Sequence, residues 1–234
     1  MTQDPTPDLS HVACWIFDLD NTLYHPRVDL FAQIDVRMGR YIQDLLGVDA
    51  AAARTIQKRF FHEHGTTLRG LMDRHGIEPR HFLDYVHAID LTVLDPAPRL
   101  ARALERLPGR KLIFTNADGA YAERVLDRLG LTHCFDGLHD IIGADFAPKP
   151  DASAYDRLVA RHGVDPRRAL FVEDMARNLA PAKALGMTTV WVDCASERGD
   201  DGAGDGHVDL VIADVADWLT GLTAPPLTRP DPAP

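Results

Sequence analysis

The stretch CWIFDLDNTLYHP, residues 14–26, sets four apolar side chains, Cys14 to Phe17, directly before two aspartates one residue apart, Asp18 and Asp20. A short apolar run ending in turn-forming residues reads as a strand buried on both faces. Asp18 and Asp20 stand at i and i+2, so if extended geometry persists through them both carboxylates face the same side. Two acids side by side repel. The placement fits a divalent cation between them, or one carboxyl kept protonated as a general acid; a strand-to-turn pair capping backbone amides is the purely structural alternative. A calcium loop is excluded, because Leu23 stands at its sixth position where glycine is needed and Asp29 at its twelfth where glutamate is expected.

Working outward from the first run, residues 13–17, similar apolar runs recur at 111–114, 169–172, 188–192 and 208–212. Between them lie helical patterns with a polar start, an apolar stripe and a terminal glycine, as in AYAERVLDRLG with Val125, Leu126 and Leu129 on one face and Gly130 as the stop. Strand and helix in alternation predict an α/β fold with a doubly wound parallel sheet, whose ligands sit beyond the carboxyl ends of the strands. The segment 29–95 breaks the alternation with four helical patterns and no strand. Its first helix places Leu30, Ile34, Met38, Tyr41, Ile42 and Leu45 on one apolar face. The expected organisation is a Rossmann-like core from residues 11–25 and 96–220, an all-helical cap from 26–95 standing over the crevice as a lid, and a disordered proline-rich tail from 221–234. Residues 196–207, rich in glycine and aspartate, read as a flexible loop.

The chain has 234 residues, 45% of them hydrophobic, enough for one large domain with an insertion. Its 35 acidic residues against 25 Lys and Arg argue against a nucleic-acid polymer as partner, while leaving small anionic substrates open. Three separated cysteines with no CxxC pair, no apolar run of membrane-spanning length and no signal-peptide layout in MTQDPTPDLS predict a cytoplasmic protein.

Further polar residues stand at the other strand ends. Thr115 and Asn116 close LIFTN and can donate to phosphoryl oxygens or cap the next helix. Lys149 lies between two prolines, and Pro150 at a helix start would hold its backbone still. Glu173 and Asp174 end LFVED, with Asn178 four residues on, and suit hard-oxygen ligation of magnesium. Four strand ends carrying Asp-x-Asp, Thr-Asn, Lys and Glu-Asp converge on one crevice.

In these motifs the chain resembles the haloacid dehalogenase superfamily of phosphohydrolases over residues 12–218: DLDNT is similar to its first motif, Thr115 to its second, Lys149 to its third, and Glu173 with Asp174 to its fourth. The resemblance implies Asp18 as the nucleophile that forms an aspartyl-phosphate, and Asp20 as general acid to the leaving group and then base to water. It implies Thr115 and Lys149 as phosphoryl holders, with Asn116 and Asn178 completing the substrate-binding set. It implies Mg2+ bound by Asp18, the Asp20 carbonyl and Asp174 with Glu173 close by, and Asn178 supporting the loop. An aspartate at position 20 argues against halide displacement, since the resemblance implies that dehalogenases lack one there.

DNTLY, FHEHGTTLRGL, FTNADGAYAERVLDRLG and FVEDMARNLAPAKALGM resemble the pyrimidine 5′-nucleotidase group, which implies hydrolysis of UMP and CMP. HGTTLRGL, residues 64–71, falls in the lid, where it reads the leaving group or simply starts a helix with Thr66 or Thr67 as cap and Leu68 and Leu71 as core contacts. Phe60, Phe61 and Tyr41 are the nearby rings able to stack on a base, and the histidines of HEHG, two apart, are lid residues and not zinc ligands. The alternatives sharing every core residue are a phosphatase for phosphoglycolate or a sugar phosphate and a phosphomutase; a non-catalytic metal-binding scaffold is a fourth. The expected partner is a small phosphomonoester, with a monomer or homodimer and no membrane.

Overall fold

The computed structural model describes residues 8–223. Six strands form one all-parallel sheet: β1 (Cys14–Phe17), β2 (Arg110–Phe114), β3 (Gly137–His139), β4 (Ala169–Glu173), β5 (Thr188–Val192) and β6 (Leu210–Ile212), in the order β3-β2-β1-β4-β5-β6. The chain builds outward from β1 to β3 and then returns to β4 on the other side, so the switch point falls at β1. Register aligns Phe17 with Ile113 of β2 and Val172 of β4, which brings Asp18, Thr115 and Glu173 to one edge. The apolar runs predict five strands, and β3 is the sixth; three residues beginning with a glycine leave too little hydrophobic signal to announce it.

Both faces of the sheet are covered, and period-two geometry divides them. Trp15 and Phe17 join Ile113, Leu170 and Val172 in one core, while Cys14 and Ile16 join Leu112, Phe114 and Phe171 in the other. On the first face pack α5 (Pro98–Arg106), α6 (Gly119–Leu129) and α9 (Val215–Thr223); on the second pack α7 (Ala152–His162) and α8 (Leu179–Leu185). Each fully buried Leu, Ile or Phe contributes about 1.5–3 kcal/mol of transfer free energy to this arrangement. Continuation of α9 through Thr223 corrects the expected start of the tail at 221; residues 224–234 lie outside the described part of the chain.

Between β1 and β2 come α1 (Leu30–Leu46), α2 (Ala50–His64), α3 (Thr67–His75) and α4 (Pro79–Val86). Local chemistry sets their ends: Asp49 accepts from the Ala52 N–H at 2.8 Å, Thr66 from the Arg69 N–H at 3.1 Å, and Glu78 caps α4 with Pro79 behind it. Leu30, Ile34, Tyr41 and Ile42 of α1 are buried as the periodicity predicts and Met38 packs at the core's margin, but Leu45 is 42% exposed because α1 ends there and no helix covers it. Helices α2 and α3 approach closely: a Cβ on Gly70 would stand 2.4 Å from Phe60.

Residues 196–207 form successive turns tied to the rest of the protein. The Gly199 carbonyl accepts from the Ala176 N–H at 2.8 Å, Lys58 of α2 bonds Glu197 at 2.9 Å, and Arg198 bonds His62. The segment is irregular, as a loop is, and its contacts come from elements far away in sequence.

Candidate active site

Asp18 leaves β1 with its N–H on the Val172 carbonyl at 2.9 Å, so sheet pairing continues one residue past the strand and holds the carboxylate at the crevice. Its Oδ1 accepts from Lys149 Nζ at 2.7 Å and its Oδ2 from the Thr22 hydroxyl at 3.0 Å. Lys149 Nζ also donates to Glu173 Oε2 at 2.6 Å and to the Phe114 carbonyl at 2.9 Å, which uses all three of its protons. Burial works against the Lys149 charge, yet Asp18 and Glu173 outweigh it and hold the ammonium above the usual lysine range.

Two expectations about this lysine are corrected. Pro150 does not start a helix, since α7 begins at Ala152 with Asp151 as its cap. Asn116 is directed at the protein: its Oδ1 accepts from the Lys149 N–H at 2.8 Å and its Nδ2 donates to the Lys149 carbonyl at 3.3 Å. Asn116 therefore pins the lysine's backbone, and its side chain also borders the crevice.

Asp18, Glu173 and Asp174 are buried, and one carboxylate oxygen from each lies within 4.8 Å of the others. Burial, and then the Glu173 charge, push the Asp18 carboxyl up to about 7 against the pull of Lys149. Burial lifts Asp174 well above the usual carboxylate range, with Glu173 and Asp18 adding to it. Three buried acids beside one ammonium leave surplus negative charge, and a cluster of hard oxygens in surplus charge fits a divalent cation such as Mg2+. Glu173 gives one oxygen to Lys149 and the other to the Met175 N–H at 3.1 Å, just as Asp18 gives one to Lys149 and the other to Thr22.

The Asp20 carboxylate stands outside that cluster. Its Oδ1 accepts from the Tyr24 hydroxyl at 2.6 Å and the Tyr121 hydroxyl at 2.8 Å, so the tyrosines and not the acidic cluster hold the side chain, and the resemblance assigns the ligand role to its main-chain carbonyl. Burial raises the Asp20 carboxyl while the two tyrosines restrain the rise. Tyr121 is itself stacked on His87 with ring centroids 4.3 Å apart, and His87 Nδ1 bonds Asp118, the cap of α6. Tyr24 could have been found in the opening stretch, four residues past Asp20. Tyr121 and His87 carry no local signal, because their link to Asp20 crosses about a hundred residues of chain.

Thr115 is buried, and its Oγ accepts from the Ala117 N–H at 3.0 Å, which leaves its hydroxyl proton for a ligand. Asn178 is buried at the crevice wall; its carbonyl accepts from Tyr155, and its Oδ1 has no partner among the described residues. The crevice encloses about 220 Å³, with Asp18, Asp20, Thr115, Lys149 and Asp174 at its base and Phe31, Met38, Phe61 and Leu68 of the helical segment above. Residues 64–71 start a helix, with Thr66 as the cap of α3 and Leu68 and Leu71 buried, and residues 65–68 also border the crevice. Of the three candidate stacking rings only Phe61 borders the crevice. Phe60 packs against His64 and His75, and Tyr41 against Phe82 and Tyr85.

Comparison with known proteins agrees with the fold. Phosphate metabolism protein 8 of Saccharomyces cerevisiae is 27% identical over 201 residues, 78% of this chain and 62% of that protein, so the chain spans less than two thirds of its length. A phosphoglycolate phosphatase of Pseudomonas putida is 27% identical over 227 residues, 90% of this chain and 79% of that protein. Among solved structures, the predicted phosphoglycolate phosphatase of Haemophilus somnus superposes with a TM-score of 0.63 at 17% identity, covering 91% of this chain and 98% of that one. A haloacid dehalogenase phosphatase of Thermococcus onnurineus gives 0.59 at 20%, covering 90% and 97%. The family profile of haloacid dehalogenase-like hydrolases matches residues 12–186, and the chain belongs to that family.

Proposed function

We propose that the protein is a Mg2+-dependent phosphomonoesterase that works through an aspartyl-phosphate on Asp18. The observation that carries this is the buried Asp18–Lys149–Glu173 cluster with Asp174 beside it and Asp20 turned to two tyrosines. In the first half-reaction an Asp18 carboxylate oxygen attacks phosphorus, the bond to the leaving oxygen breaks, and Asp20 gives that oxygen its proton. In the second, water attacks the aspartyl-phosphate, Asp20 takes the water's proton, and phosphate leaves with Asp18 restored. Thr115 and Lys149 meet the charge that develops on the transferred group. Bound by Asp18, Asp174 and the Asp20 carbonyl, Mg2+ supplies the positive charge that lets a carboxylate approach a phosphate dianion. Asn116 acts through the Lys149 backbone it holds, and Asn178, with its Oδ1 unpartnered among the described residues, borders the crevice as a substrate contact.

Residues 26–95 then serve as a cap over a core formed by 11–25 and 96–220. Within this reading, pyrimidine nucleoside 5′-monophosphates are the favoured substrates, because the helical segment gives the crevice an apolar ceiling with three phenylalanine rings, Phe31, Phe61 and Phe82, larger and more apolar than a glycolate needs. The second reading, a small-metabolite phosphatase, is favoured by the phosphoglycolate phosphatases among its relatives. Phosphate release from UMP, CMP, 2-phosphoglycolate and p-nitrophenyl phosphate, with Mg2+ and with EDTA, separates the readings. Release that needs Mg2+ and vanishes in Asp18→Asn supports the assignment; no release from any phosphomonoester, or unchanged turnover in that variant, overturns it.

A further inference from the structure

Among the charged side chains that line the crevice, Arg177 is placed unlike the others. Lys149 is bonded to Asp18 and Glu173, and Lys58 to Glu197 with Asp35 at 3.8 Å. Arg177 forms no ion pair with a described residue, its Nε is buried without a hydrogen-bond partner, and its guanidinium carbon lies 4.6 Å over the Phe61 ring. Asp201 and Glu173 act on it through space, but Asp201 is bonded to Arg198 at 2.5 Å and Glu173 to Lys149. A buried donor without a partner is unfavourable unless a ligand or water meets it.

Placement strengthens the point. Arg177 follows Asp174 by three residues and belongs to the same loop, whose Ala176 N–H is anchored on Gly199, while Phe61 comes from α2 of the helical segment. The pair therefore bridges the base of the crevice and its ceiling. A second cleft, about 590 Å³, shares Arg177 and Gly65, but its other guanidinium groups, Arg69 and Arg157, pair with Asp73 and Asp145 and do not line the crevice. Arg177 is thus the guanidinium open to a molecule in the crevice.

A guanidinium with one face on an aromatic ring presents its N–H groups sideways in its own plane. A planar ring carrying carbonyl oxygens satisfies both elements, stacking beside Phe61 and accepting from Arg177. We propose that Arg177, backed by Phe61, reads the leaving group and selects phosphomonoesters whose leaving group carries a planar ring with carbonyl acceptors. The proposal rests on the phosphomonoesterase reading and adds the residue that decides among its substrates.

The test uses UMP and ribose 5-phosphate, which share the phosphate and the sugar and differ in the ring. The wild-type protein is expected to prefer UMP in kcat/KM, and Arg177→Met to lower that preference about tenfold or more, mainly through KM for UMP. Arg177→Lys keeps the charge but loses the planar fork, so it falls between, and Phe61→Leu shifts KM in the same direction. Equal losses on both compounds, an unchanged preference, or a wild-type preference for 2-phosphoglycolate over UMP overturns the proposal while leaving the phosphatase reading intact. Should the wild type hydrolyse no phosphomonoester, calorimetric binding of UMP still decides: binding weakened about tenfold in Arg177→Met supports it, and equal or absent wild-type binding overturns it. If circular dichroism shows Arg177→Met unfolded, Arg177→Lys and Phe61→Leu give the same decision.

Discussion

Lys149 is the residue on which the most buried charge depends. Its ammonium compensates two carboxylates directly, and removing one partner from a buried ionic cluster leaves the others uncompensated, at about 3–5 kcal/mol. Lys149→Met is therefore expected to abolish phosphate release and to lower the unfolding free energy by that order in the metal-free protein, with part of the loss regained as pH falls through about 7 and Asp18 and Asp174 take up protons; urea titration on each side of that pH checks it. At Asp20 the chemistry is subtler. Tyr24 and Tyr121 both donate to Oδ1, which leaves Oδ2 as the oxygen to carry the transferred proton. Tyr121→Phe keeps the ring stacked on His87 while removing one of the two bonds. Turnover of alkyl phosphates, whose leaving oxygen needs the proton, is expected to fall about tenfold, and that of p-nitrophenyl phosphate less. Equal losses on both would show that Tyr121 supports only the fold.

At the scale of elements, the sites of closest approach govern stability. Gly70 lets α3 lie against Phe60 of α2, and Gly70→Ala drives a methyl into that ring, a clash expected to cost about 1–3 kcal/mol by thermal or denaturant unfolding. His139 ends β3 against Phe114 and His162, buried with neither ring nitrogen hydrogen-bonded. Burial, with His162 and Arg161 adding, lowers it from 6.5 to about 4. A histidine depressed in the folded state stabilises above its unfolded value and loses that stability as pH falls through the folded one. The protein is thus expected to lose up to about 3 kcal/mol between pH 6.5 and 4 at this residue, and His139→Leu to remove that slope. The short strand that carries it shows what a sequence cannot announce: β1, β2, β4 and β5 are legible because each is an apolar run buried on both faces, whereas β3 is defined by pairing with Leu112–Phe114.

For the molecule as a whole, metal and pH are linked at the crevice. Asp18, raised to about 7, and Asp174, also raised, favour the folded state when protonated, so the metal-free protein loses stability as pH climbs from about 4 through 7. Mg2+ binds the ionised carboxylates and is expected to raise Tm more at pH 8 than at pH 6, with proton release on binding near pH 7. This contribution has the opposite sign to that of His139, and saturating Mg2+ separates the two, because it cancels the first and leaves the second. An equal Tm increase at both pH values would place the cation away from Asp18 and Asp174.

The sequence alone determined the parallel α/β core, the four helices between β1 and β2, and the residues that meet at the crevice, because these are written in local currency: apolar runs, helical spacing, capping side chains and polar residues at strand ends. Only the tertiary structure decided how those residues are partnered. It placed Lys149 between Asp18 and Glu173, gave Asn116 to the lysine's backbone, bonded Asp20 to Tyr121, turned Phe61 and not Phe60 or Tyr41 to the crevice, and left Arg177 without an ion pair among the described residues. Each of these contacts joins segments far apart in the chain, and their distances follow from how the sheet and helices close on one another, which no single stretch of residues encodes.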